Sequence, residues 1–114
     1  MKRRILKINE VIKREISQIV LKEIEFPKDT LVTFTRAETS PSLDNCKVYV
    51  SVIPEKKERE IFEILENKIG FIQKKLNKKM KIFKVPKINW VKEIKTKEAA
   101  EIERILVQLQ KEKK

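Results

Sequence analysis

Apolar side chains recur at helical spacing from residue 5 to residue 24. Ile5, Ile8, Ile12, Ile16, Ile19 and Ile24 form a row that Val11 and Val20 widen, which predicts a long amphipathic helix with one core-facing stripe. Lys7, Glu10, Arg14 and Gln18 fall on its other face. Pro27 stops it, because a proline pushes the residue before it, here Phe26, toward extended geometry. Leu31 to Thr39 is rich in β-branched residues and lacks helical periodicity, so it reads as a strand. Ser40-Pro41-Ser42-Leu43-Asp44 is turn chemistry. The next run alternates, with Cys46, Val48, Val50 and Val52 on one face and Lys47, Tyr49, Ser51 and Ile53 on the other, up to Pro54. The two runs predict an antiparallel hairpin whose apolar face packs on helices. Cys46 belongs to that face, which favours a buried structural thiol over a reactive one.

Helical spacing returns from Glu55 to Met80, with Ile61, Leu65, Ile69, Ile72, Leu76 and Met80 in one row and Phe62 beside it. Gly70 lies inside this segment, where a glycine costs about 1 kcal/mol relative to alanine. Close helix packing would justify it; a kink that splits the segment into two helices justifies it better. The β-branched and aromatic residues from Lys81 to Val91 predict a third strand, in which Pro86 requires an edge position or a bulge. Ile88 and Trp90 share a face, so Trp90 is expected in the core rather than stacked on a base. Thr96 can cap a last helix with Ala99, Ile102, Leu106 and Leu109 as its apolar row, before a frayed tail over about 110–114. The expected architecture is a single α+β domain spanning 1–114, with a three-stranded sheet covered on one side by helices.

Composition removes much chemistry. The 114 residues include no His, one Cys and one Gly. No disulfide framework can form within the chain, no zinc site of Cys or His can be assembled, and His-dependent acid–base or nucleophilic machinery is missing. Phosphate-cradling loops need at least two glycines at fixed spacing. No catalytic residue, metal site or cofactor is therefore expected. No apolar run approaches the ~20 residues that cross a bilayer, and the charged N-terminus does not resemble a signal peptide. The expectation is a cytoplasmic protein.

The charge is uneven. Of 28 Lys and Arg against 17 Asp and Glu, nine lysines and no acid fall between Asn67 and Lys92. The rest of the chain carries 19 basic and 17 acidic residues, so nearly the whole net charge of +11 belongs to that stretch. Well-mixed Lys and Glu would signify an ordinary solvated surface. Segregated charge points to a polyanion, with nucleic acid favoured over a membrane.

With these elements in order, the chain resembles the ribosome-binding factor A family of bacterial small-subunit assembly factors over nearly its whole length. The resemblance rests on Lys22-Glu23-Ile24-Glu25-Phe26-Pro27, on Thr33 to Asp44 with Ser40 and Leu43-Asp44, and on Cys46-Lys47-Val48-Tyr49-Val50-Ser51. It continues through Gly70-Phe71-Ile72 and Lys84-Val85-Pro86-Lys87-Ile88. It implies a type II KH-like fold in which a helix-kink-helix marked Ala-x-Gly replaces the Gly-x-x-Gly nucleic-acid loop. Here the tripeptide is Lys68-Ile69-Gly70, with the glycine in place and lysine where the family has alanine. The family's acidic residue after the last strand falls at Glu93, and Lys95 stands where a small hydroxyl residue is expected. The resemblance further implies binding to the immature 16S rRNA of the small ribosomal subunit, a role in maturing that RNA, and release through a ribosome-assembly GTPase.

The residues themselves nominate a polyanion-binding face, which the resemblance implies is RNA-binding. Lys74, Lys75, Lys78 and Lys79 project from one side of a helix, opposite Ile72, Leu76 and Met80. Lys81, Lys84 and Lys87 continue the series along the next segment, and Arg3, Arg4 and Lys7 are candidates to extend it, with Gly70 as the structural kink. A lysine is a flexible point charge suited to phosphates, so specificity is expected from RNA shape. The molecule is expected to act as a monomer with no membrane partner. Two alternatives are a general basic RNA-binding module and a peripheral protein on anionic lipid. The latter needs an exposed Trp or Phe beside the basic face, and Phe71, Phe83 and Trp90 read as core. An enzyme built on carboxylates or Tyr49 is a further alternative, but no acidic pair is singled out.

Overall fold

The computed structural model describes residues 2–81, 84–94, 104–105 and 108–109. Its elements are α1 (Lys2–Glu23), β1 (Leu31–Thr39), β2 (Asn45–Ile53), a 3-10 turn (Glu55–Lys57), α2 (Glu58–Lys79) and β3 (Lys87–Lys92). The isoleucine stripe makes α1 a core helix: Ile12 and Ile16 are fully buried and Ile8, Ile19 and Val20 nearly so. From α2, Ile61, Leu65, Ile72 and Leu76 are equally inaccessible. Each such side chain contributes about 1.5–3 kcal/mol of burial.

β1 and β2 pair antiparallel across the Ser40–Asp44 turn, as the residue pattern predicts. In β2 the alternation is strict, with Cys46, Val48, Val50 and Val52 all buried. Burial also pushes the Cys46 thiol up, in keeping with a structural role. β1 is less regular because the register shifts between Phe34 and Arg36. The extra residue, Thr35, forms a bulge that lets Phe34 and Ala37, three positions apart, both face inward.

β3 pairs parallel to β2 and lies at the sheet edge, in the order β1-β2-β3. A parallel partner needs a crossover connection, and α2 supplies it. Both helices pack on the apolar face of the sheet. Trp90 is core, as expected: its indole N–H donates to the Leu65 carbonyl at 3.1 Å, and its ring lies 5.7 Å from that of Phe34. The element order and mixed sheet are compatible with the type II KH-like arrangement.

Three expectations need correction or limit. The third strand begins at Lys87 rather than Lys81, because Pro86 has no N–H for the ladder and its carbonyl is taken by a side chain of α2. α2 is one unbroken helix, so Gly70 does not divide it in two; its φ is not positive. Close packing does not explain Gly70 either, since a Cβ there would meet nothing within 4 Å. Finally, Thr96, Ala99, Ile102 and Leu106 of the expected last helix lie outside the described residues. Arg104, Ile105, Gln108 and Leu109 are helical and exposed.

Candidate nucleic-acid interface

The C-terminal half of α2 turns its apolar row into the core and its lysines outward. Lys74, Lys78 and Lys79 are exposed, while Ile72 and Leu76 are fully buried. Cations in the last turn also suit the negative end of the helix dipole, so Lys78 and Lys79 favour the helix whatever else they do. At Met80 the backbone leaves the helix in extended geometry, its N–H still held by the Leu76 carbonyl at 2.9 Å, and exposed Lys81 follows. This end of α2 meets α1 along a shallow groove. Ile8, Val11 and Met80 line it together with Lys7, Arg14, Glu15, Lys79 and Lys81. Cations 65 residues and more apart in sequence thus share one concavity. Arg14, which the sequence places on the face of Lys7 without marking it as an RNA contact, belongs there because it lies two helical turns beyond Lys7. Its charge is partly met by Glu15 at 3.7 Å.

The nominated cations are not equivalent. Lys75 approaches Glu23 of α1 at 3.8 Å, and the Lys84 ammonium donates to the Asp44 carboxylate in the hairpin turn, which holds that carboxyl below its usual range. These two charges are engaged inside the molecule. Among the described residues, Lys7, Lys74, Lys78, Lys79, Lys81 and Lys87 have no carboxylate partner. Arg3 and Arg4 are exposed in the first turn of α1, which contains no acidic residue to offset the positive dipole end. They add to the field but do not line the groove.

Gln73 positions the lysine-bearing segment, although no local pattern marks it. Its side-chain amide N–H donates to the Pro86 carbonyl at 3.1 Å and its carbonyl accepts the Ile88 N–H at 2.9 Å. Both groups flank Lys87, whose own N–H is held by the Asp44 carbonyl at 3.0 Å. One amide side chain therefore fixes where β3 begins against α2.

The open face of the sheet carries charge of another kind. The Arg36 guanidinium stacks 3.8 Å above the Tyr49 ring and bonds both Glu93 oxygens, at 3.2 and 3.3 Å, and Glu38 at 2.7 Å. The Tyr49 hydroxyl donates to Glu38 at 3.0 Å, and this bond raises the phenol's pKa. Burial pushes the Glu93 carboxyl up, but the Thr35 hydroxyl and Arg36 outweigh it and hold the group below its usual range.

A family model for ribosome-binding factor A matches residues 4–106. The chain belongs to that family. It is 34% identical over 112 residues to a ribosome-binding factor A of Halothermothrix orenii, covering 97% of this chain and 92% of the relative. A ribosome-binding factor A of Caldanaerobacter subterraneus is 32% identical over 108 residues, covering 93% and 88% of the two chains. A solution NMR structure from Thermotoga maritima, described as a candidate ribosome binding factor A, superposes with a TM-score of 0.56 at 28% identity, over 80% of this chain and 84% of that one.

Membership in the ribosome-binding factor A family makes this a ribosome-binding factor of ribosome biogenesis. Of the residues nominated from sequence, the fold brings Lys7, Lys79 and Lys81 to one groove and sets Lys74 and Lys78 on the adjoining helix surface. It ties Lys84 to the hairpin turn instead. One expectation is wrong: Phe71 is 42% exposed, with Lys75 Nζ over its ring at 5.6 Å, and does not belong to the core. Phe83 lies outside the described residues. Among the described residues no helix is long and apolar enough to cross a membrane.

Proposed function

We propose that the protein binds immature 16S rRNA of the small ribosomal subunit, without catalysis of its own, and assists its maturation. The contact runs along the outer surface of α2 from Lys74 to Lys81 and into the groove against α1. The observation that carries this reading is the set of cations there that lack a carboxylate partner among the described residues: Lys7, Lys74, Lys78, Lys79 and Lys81. Exposed like charges in close array repel one another, and a phosphate chain relieves that repulsion while releasing its condensed counterions. The protein works as a cytoplasmic monomer, and a ribosome-assembly GTPase is the partner that releases it.

The test is a salt titration of binding to small-subunit rRNA. Five lysines on five phosphates give a log–log slope of roughly −3.5 on single-stranded RNA. A slope near zero would falsify the phosphate contact. Anionic lipid is the second reading, favoured by the exposure of Phe71. It predicts cosedimentation with phosphatidylglycerol vesicles that competing rRNA does not reverse.

A further inference from the structure

An isolated exposed phenylalanine needs no explanation, but Phe71 is not isolated. On a helix, positions three, four and seven residues on share its face, and for Phe71 these are Lys74, Lys75 and Lys78. The Lys75 ammonium already lies over the ring at 5.6 Å. The residue before it, Gly70, is exposed, and a Cβ there would meet no heavy atom of another element within 4 Å, so the surface beside Phe71 is open. Lysines alone read only phosphates. An open aromatic ring set among them adds what a phosphate track lacks: a flat apolar surface on which an unstacked base can lie while the ammoniums hold the phosphates to either side. A bilayer would draw on the same ring, but with Trp90 buried Phe71 offers a single exposed aromatic on this face, and one ring is a small anchor for hydrocarbon.

We infer that Phe71 is a base-stacking residue, and that the lysine face therefore selects unpaired nucleotides over duplex RNA. This rests on the phosphate contact proposed above and adds a preference to it.

The experiment compares the full chain and its Phe71→Leu and Phe71→Trp variants. The probes are an oligouridylate of about a dozen nucleotides, the corresponding abasic chain with the same phosphates, a blunt RNA duplex, and phosphatidylglycerol vesicles. The wild type should bind the oligouridylate about five- to a hundredfold more tightly than the abasic chain. Phe71→Leu should erase that ratio while leaving affinity for the abasic chain unchanged, and Phe71→Trp should restore it. A single 2-aminopurine in the oligomer should be quenched by the wild type and the Trp variant but not by the Leu variant. Salt-dependent binding with the same base preference in Phe71→Leu as in wild type overturns the stacking role alone. Loss of vesicle binding in Phe71→Leu, with the RNA preference retained, assigns the ring to lipid and overturns it too. Absence of salt-dependent binding to either single strand removes the phosphate contact and this inference with it.

Discussion

The outer surface of α2 and the open face of the sheet both carry charged and aromatic side chains, and they treat them in opposite ways. On the sheet, Arg36 is held by Glu93 and Glu38 and lies on Tyr49, and nearby Lys92 reaches Glu58 at 3.2 Å and Glu55 at 3.7 Å. On α2, Lys74 and Lys78 meet no carboxylate among the described residues, and Phe71 is open. A cation whose field is closed by a neighbouring carboxylate has little left to offer a phosphate. The difference teaches that the distribution of partners, more than the count of cations, marks a polyanion surface.

The sharpest way to break this contrast is to neutralise each side in turn. Changing Lys74, Lys78, Lys79 and Lys81 together to Gln should weaken rRNA binding at least about tenfold at 0.1 M salt and reduce the slope from roughly −3.5 to roughly −0.7. Arg36→Ala should change affinity by less than about threefold; equal losses on the two faces would abolish the distinction. The next effect is on folding. Gln73→Leu leaves the Ile88 N–H and Pro86 carbonyl without their partner and should cost about 1–3 kcal/mol in urea denaturation. RNA binding should weaken as well, although no charge is removed. The smallest effect is at Gly70, where Ala meets open space in an unbroken helix and should stabilise the fold by about 0.5–1 kcal/mol. A loss of stability there would mean that the helix needs glycine's freedom after all.

How much of this was legible in the sequence depended on whether its cause was local. The period of two in Cys46, Val48, Val50 and Val52 and the isoleucine row of α1 carry their own burial pattern, so those elements and faces could be read directly. In β1 the bulge at Thr35 shifts the phase midway, which hides alternation. The start of β3 was misplaced because it is decided by Gln73, a residue in another element, while Lys81 to Val85 has strand-like composition. The lysine surface was visible as a run without acids. That Glu23 and Asp44 withdraw Lys75 and Lys84 from it was not, since those carboxylates lie far away in the chain. Residue type points Phe71 to the core, although its spacing from Lys74, Lys75 and Lys78 places it on the outer face.

The parallel pairing of β2 with β3 has a consequence for a chain made from its N-terminus onward. Asn45 pairs with Lys87, 42 positions later, so the hairpin can close on nearest neighbours while β3 must wait until the crossover has been synthesised and docked. The anchor points of Gln73 lie at that final join. A nascent copy can thus hold most of its hydrophobic interior before its cationic surface is set, and the capacity to grip a polyanion arrives with the last strand to take its place.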